Sequence, residues 1–192
     1  LNLDYQIFKL INQFAGKSIF IDHLVLYFSK YGPLLFGLFF IWLWFSKSKN
    51  KEQNQKIVLS ALTIVILTLG IDMIIEIVHF RPRPFVDHSV TLLFNKSNMD
   101  PSFPSNHAAG SFALAFAVFW VRRKAGGILL GLACVMALSR IYIGVHYPLD
   151  VLVGGFIGFF VSLVVMTQAK ILNPFYNFII DIFNKLSFKN YR

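Results

Sequence analysis

With 192 residues, 56% of them hydrophobic, 17% aromatic and only 14% charged, the chain departs from a soluble domain, in which about a quarter of residues carry charge. That composition excludes a disordered chain, a secreted disulfide scaffold and a soluble enzyme, and leaves an all-α, polytopic membrane protein with room for one domain. The net charge of +9, from 18 Lys and Arg, reads on this apolar background as membrane topology rather than nucleic-acid binding.

Taken in chain order, 3–14 comes first, with Leu3, Ile7, Leu10, Ile11 and Phe14 at helical spacing. It predicts an amphipathic helix in the outer interface or an incomplete span. Five segments long enough for a bilayer follow at 21–45, 57–80, 107–121, 125–141 and 151–169; the third is short and is expected to extend into its flanks. Segment 174–188 repeats the amphipathic pattern with Phe175, Phe178, Ile179, Ile182 and Phe183, so the bundle is expected to have five to six transmembrane helices. Gly127/Gly131 and Gly154/Gly158 are small-residue pairs suited to helix packing. Cys134, the lone cysteine, lies in an apolar stretch; it excludes a disulfide and is expected to be a small packing residue. The start at Leu1, with no basic segment ahead of a cleavable site, predicts a short trim and no signal peptide.

Charge then orients the spans. Lys47, Lys49, Lys51 and Lys56 fall between spans one and two, Arg122, Arg123 and Lys124 between three and four, and Lys170, Lys185, Lys189 and Arg192 after the fifth. The opposite side carries Arg81, Arg83, Lys96 and Arg140. The positive-inside rule places the first group in the cytoplasm and the loops 81–106 and 142–150 outside.

Polar chemistry collects on that outward side. Arg81-Pro82-Arg83-Pro84 closes the second span, Pro104-Ser105-Asn106-His107 opens the third, and Ser139-Arg140 and His146-Tyr147-Pro148-Leu149-Asp150 bracket the turn between the fourth and fifth. Taken singly, each has a plain reading: Arg81 or Arg83 as a head-group anchor, Ser105 or Asp150 as a helix cap, the prolines as helix breakers. Together they converge at one membrane level, where charge is expensive and usually functional. Arginine forks match phosphate oxygens, and a helix start at Ser105 and Asn106 adds N–H groups and dipole. Histidine allows proton transfer and nucleophilic attack, and Asp150, four residues after His146, can orient its ring. This set describes phosphoryl transfer through a histidine, with no metal or cofactor required.

The same residues carry a resemblance. Arg83-Pro84, Pro104-Ser105-Asn106-His107, and Ser139-Arg140 followed by His146 and Asp150 resemble the three signature motifs of the type 2 phosphatidic acid phosphatases, the superfamily that includes the vanadium haloperoxidases. The resemblance implies one membrane-embedded lipid-phosphatase domain over 1–192, with its motif-bearing core at about 57–169, an outward active site and metal-independent hydrolysis. It also implies His146 as the nucleophile, Asp150 as its orienting carboxylate and His107 as general acid. Arg83, Arg140, Ser105 and the backbone around Asn106 would hold the phosphoryl oxygens.

Within the family, Arg83-Pro84-Phe85-Val86 through Ser102-Phe103-Pro104-Ser105 resembles the bacterial undecaprenyl-diphosphatases linked to bacitracin resistance. These recycle a cell-wall lipid carrier at the plasma membrane, so the implied partners are a polyprenyl diphosphate and membrane lipids, with no nucleic acid. Two positions depart from the pattern. Glu76 stands where the first motif has a lysine, so that either Arg81 supplies the missing phosphate contact or the pocket is built differently; Asn106 stands where aspartate is expected. Glu76 shares a helix face with Asp72 and His79, and can tether Arg81 or Arg83 or act as a second proton donor. Alternative readings are a phosphatidylglycerophosphate or phosphatidic acid phosphatase of the same mechanism and, remotely, a non-enzymatic lipid-phosphate carrier.

Overall fold

A computed structural model describes residues 3–189, with side chains to residue 186. Leu1 and Arg192 lie outside the described residues, as does the Lys189 side chain. Eight helices are present among them: α1 (Leu3–Asn12), α2 (Ile19–Phe45), α3 (Lys51–Val78), α4 (Pro84–Asp87), α5 (Asn106–Phe119), α6 (Arg123–Tyr142), α7 (Pro148–Thr167) and α8 (Ala169–Lys189). The chain is an all-helical, multi-pass membrane bundle. Among the described residues α2, α3, α6 and α7 are long and apolar enough to cross a membrane.

The third expected span does not extend into its flanks. At 14 residues, α5 is about 21 Å long, short of a hydrocarbon layer of about 30 Å. Proline at position 104 stops it on one side, and the polar Arg122–Lys124 corner on the other. Its alanines explain its place: Ala108, Ala109, Ala113, Ala115 and Ala117 are fully buried, so neighbouring backbones can close around it. Helices α3, α6 and α7 all pack on α5. A Cβ on Gly154 would lie 2.7 Å from the Ser105 carbonyl oxygen, and one on Gly158 2.5 Å from that of Ala109. These two glycines set the α5–α7 approach. Gly127 and Gly131 have nothing within 4 Å, so the packing role expected of them is not made among the described residues. Cys134 is likewise exposed on α6 rather than packed inside.

One apolar core lies away from the site, built from Phe36, Phe40 and Leu43 of α2, Ile64 of α3, Val118 of α5 and Val161 of α7. A smaller one, with Phe8, Ala108, Ile141, Tyr147 and Val151, lies beneath the polar end. Phe8 draws α1 into the bundle. Asn12 completes the attachment: its amide donates to the carbonyls of Thr91 (2.8 Å) and Tyr142 (2.9 Å), and its Oδ1 accepts from the Thr91 N–H (3.0 Å). At the opposite end, Arg122 donates to Asn54 and Lys51 to Asn184 of α8. The Lys47–Lys56 and Arg122–Lys124 corners thus share the end away from the histidines. Helix α8 packs by Tyr176 and Ile180, with the Tyr176 hydroxyl 2.9 Å from Thr63 Oγ1.

Candidate active site

His146 sits in the turn between α6 and α7, a turn that needs Gly144. That glycine has φ +88°, and a Cβ there would meet the Thr91 carbonyl oxygen at 2.7 Å. The imidazole is buried. Its Nδ1 lies 2.7 Å from the Ser102 carbonyl oxygen; a carbonyl only accepts, so Nδ1 carries the proton and Nε2 the lone pair. That lone pair faces Arg83 Nη1 at 3.3 Å. Burial first, then the Arg140 and Arg83 guanidinium groups, push the His146 pKa down to about 4 from 6.5, against the opposing pull of Asp150. A neutral imidazole with an unprotonated Nε2 is the nucleophilic form.

Arg83 is buried and rigidly held. Its Nε donates to the Asp100 carbonyl at 3.2 Å and its Nη1 to that of Val145 at 2.8 Å. The peptide of the turn thereby fixes both the arginine and the adjacent histidine.

Asp150 does not bond the ring directly, as triad logic expects. Its Oδ2 is 3.8 Å from Nδ1, beyond hydrogen-bond range. Instead Oδ2 accepts the Ser102 hydroxyl at 2.5 Å and the Tyr147 N–H at 2.7 Å. The carboxylate therefore caps α7 and clamps Ser102, whose carbonyl holds the imidazole. Ser102 is an orienting residue that no single-position signal in the sequence reveals, apart from its place three residues before Ser105.

Arg81 also takes a different post from the phosphate contact expected of it. Nη1 donates to Asp150 Oδ1 at 2.6 Å and Nη2 to Asp4 Oδ2 at 2.5 Å, while the guanidinium stacks on Tyr147 at 4.1 Å. Both forks are committed to carboxylates behind the histidine. Asp4 Oδ1 also accepts the Leu149 N–H at 2.8 Å, so α1 is tied to the site through one aspartate.

Ser105 and Arg140 differ from Arg81 in having unused capacity. Ser105 occupies the N-cap position of α5 yet makes no side-chain cap bond; its buried Oγ has no partner among the described residues. Arg140 donates by Nη1 to Ser29 Oγ at 2.7 Å, and its buried Nε is unpartnered. Unsatisfied buried donors are costly and call for an explanation; an anion between them supplies one. His107 and Arg140 line a common cavity with Ser29 and Lys30 of α2 and with Lys96. Ser139, by contrast, turns its hydroxyl back to the Met136 carbonyl at 2.6 Å.

The two departures from the family pattern meet. Asn106 Nδ2 donates to Glu76 Oε1 at 2.7 Å, so Glu76 tethers neither Arg81 nor Arg83 by a hydrogen bond. Asp72, one turn earlier, is fully buried with both carboxylate oxygens unpartnered among the described residues. His79 instead faces outward against Phe103, ring centroids 5.6 Å apart.

A helical membrane bundle with a buried histidine beside paired arginines and unfilled donors is the class that this fold and site define. A PAP2 superfamily model matches residues 57–173. The chain is 31% identical to the undecaprenyl-diphosphatase BcrC of Bacillus subtilis, over 97% of each chain. It is 35% identical to the putative undecaprenyl-diphosphatase YbjG of Escherichia coli, over 80% of this chain and 76% of the other. Among solved structures, that of Aquifex aeolicus LpxE superposes with a TM-score of 0.67 at 28% identity, covering 87% of this chain and 96% of that one. The chain belongs to the PAP2 superfamily.

Proposed function

We propose that this chain is a lipid phosphatase that hydrolyses undecaprenyl diphosphate to undecaprenyl phosphate and orthophosphate through a phosphohistidine. The observation that carries the reading is the fixed tautomer of His146, with Nε2 unprotonated beside Arg83; the buried Ser105 Oγ and Arg140 Nε, without partners among the described residues, add to it. The relatives' names supply the substrate class.

In the first step Nε2 of His146 attacks the terminal phosphorus, and the bond from phosphorus to the bridging oxygen breaks. Arg83, Arg140 and the Ser105 hydroxyl bear the charge of the equatorial oxygens. His107, half-buried and surrounded by Arg140, His146, Lys96 and Arg83 and therefore neutral before substrate binds, takes up a proton with the anionic substrate, whose charge offsets those cations, and gives it to the departing bridging oxygen. In the second step His107, now neutral, takes a proton from water as that water attacks the phosphohistidine. Orthophosphate leaves and Nε2 regains its lone pair. Asp150 is a positioning residue: through Ser102 it keeps the proton on Nδ1, and its charge favours the cationic ring that the covalent intermediate creates. This scheme consumes one water and calls on no metal.

The chain lies in the bacterial plasma membrane with this site on the extracytoplasmic side. The support is the Lys47–Lys56 and Arg122–Lys124 corners, joined at the end away from the histidines. The test is phosphate release by detergent-purified protein from undecaprenyl diphosphate, phosphatidylglycerophosphate and phosphatidic acid in parallel. Preference for the prenyl diphosphate, abolished in His146→Ala, is expected. Preference for a glycerophospholipid overturns the substrate, and turnover surviving in the variant overturns the mechanism.

A further inference from the structure

The cavity beyond His107 is more basic than hydrolysis of a simple phosphate ester needs. Its volume is about 140 Å³, and its lining includes Lys30, Lys96, His107 and Arg140. His107 is the proton donor to the leaving group, so the space on its side receives the departing half of the substrate. An alcohol leaving from a phosphate monoester is neutral and gains nothing from two further cations. A prenyl phosphate leaving from a diphosphate is an anion and gains from both.

The two lysines are also hard to explain as head-group anchors. Lys30 lies eleven residues into α2, about 17 Å along the helix from its start, where an ammonium in a membrane-spanning segment is costly without a task. Its neighbour Ser29 is fully buried and holds Arg140, so α2 presents an arginine support beside an exposed cation whose Nζ rests over the Tyr31 ring, 5.0 Å from its centroid. Lys96 approaches from the 88–105 loop. Its closest carboxylate, Asp100 Oδ2, is 3.5 Å away, a loose contact, and the Asp100 carbonyl holds Arg83 Nε. The same short loop thus carries Lys96 into the cavity lining and supplies the carbonyl that holds Arg83. The buried, unpartnered Nε of Arg140 marks the boundary between this cavity and the His146 side.

We propose that Lys30 and Lys96 form a second phosphate subsite, which binds the non-scissile phosphate of a lipid diphosphate and stabilises it as leaving group. This rests on the phosphohistidine reading above and adds to it the reason a diphosphate is preferred over a monoester.

The test compares farnesyl diphosphate with farnesyl monophosphate, which share one tail, on wild-type protein and on Lys30→Gln, Lys96→Gln and the double variant. The ratio of kcat/KM for diphosphate over monophosphate is expected to fall at least tenfold in each single variant and further in the double, with Lys30→Arg and Lys96→Arg keeping most of it. Equal losses on both substrates, or no loss, overturn the subsite while leaving the phosphatase reading in place. Competition by methylenebisphosphonate against orthophosphate supplies an independent readout. The bisphosphonate is expected to inhibit the wild type at lower concentration than orthophosphate and to lose that advantage in the double variant; an unchanged advantage overturns the subsite. Absence of any diphosphate turnover in the wild type overturns the phosphatase reading itself, and the subsite with it.

Discussion

Asn106→Asp is a one-atom change with a calculable consequence. The Asn106 amide donates to Glu76 Oε1 at 2.7 Å; an aspartate there sets two carboxylates against each other. At a charge separation of about 4 Å the repulsion lies between about 1 kcal/mol in bulk water and about 4 kcal/mol at an effective dielectric constant of 20. Asn106 is exposed and Glu76 partly so, so side-chain rotation and solvent take much of this back. With the lost hydrogen bond included, about 1–2 kcal/mol remains. For a chain of this size each kcal/mol moves the melting temperature by about 2–4 °C, so a fall of about 2–8 °C is expected in detergent. Glu76→Lys combined with Asn106→Asp converts the clash into an ion pair and is expected to recover most of the loss. The assay is a thermal double-mutant cycle on the purified protein, read alongside kcat/KM. Additive effects of the two substitutions would refute the contact.

His146, Arg81 and the donor set give further expectations. With His146 at about 4 in the folded protein and 6.5 as its ordinary value, the unfolded chain binds the extra proton first as pH falls. Stability relative to His146→Gln is thus expected to be full above pH 6.5 and to drop by about 3 kcal/mol towards pH 4; parallel pH profiles for the two proteins would contradict this. The acid limb of kcat/KM due to His146 is expected near pH 4 rather than 6.5. Arg81→Met removes the ion pairs to Asp150 and Asp4 and is expected to cost about 2–3 kcal/mol, together with a fall in kcat; Arg81→Lys, lacking the fork, should be intermediate. An Arg81→Met protein as stable as wild type, with an altered KM alone, would restore Arg81 as a phosphate ligand. EDTA is expected to leave turnover unchanged, and vanadate to inhibit it as a mimic of the five-coordinate phosphorus. A chelator-sensitive reaction reversed by added divalent cation would contradict the metal-free scheme.

The helices that build the bundle were legible because apolar runs of span length dominate the chain. Their ends were legible because prolines and charges punctuate them. Arg83, His107, Arg140 and His146 were legible as a group because costly residues recur at one membrane level. Individual posts were not. Arg81 is indistinguishable from Arg83 by local pattern, and what separates them is Asp4, 77 residues away in sequence. The interposed Ser102 depends on a carbonyl, which carries no residue signature. Glu76 and Asn106 each look like an isolated oddity until α3 and α5 bring them together. Cys134, Gly127 and Gly131 show the converse limit. In a membrane helix the outward face is as apolar as the inward one, so composition cannot say which residues are packed.

The central claim is that His146 takes the phosphoryl group, and covalent trapping tests it most directly. Purified protein is mixed with undecaprenyl diphosphate carrying 32P in its terminal phosphate, then quenched in alkali, where phosphohistidine survives. Wild type is expected to give label on the peptide containing His146, at a level rising with turnover, and His146→Ala to give none and release no phosphate. Phosphate release without label on that peptide, or full turnover in the variant, would contradict the account.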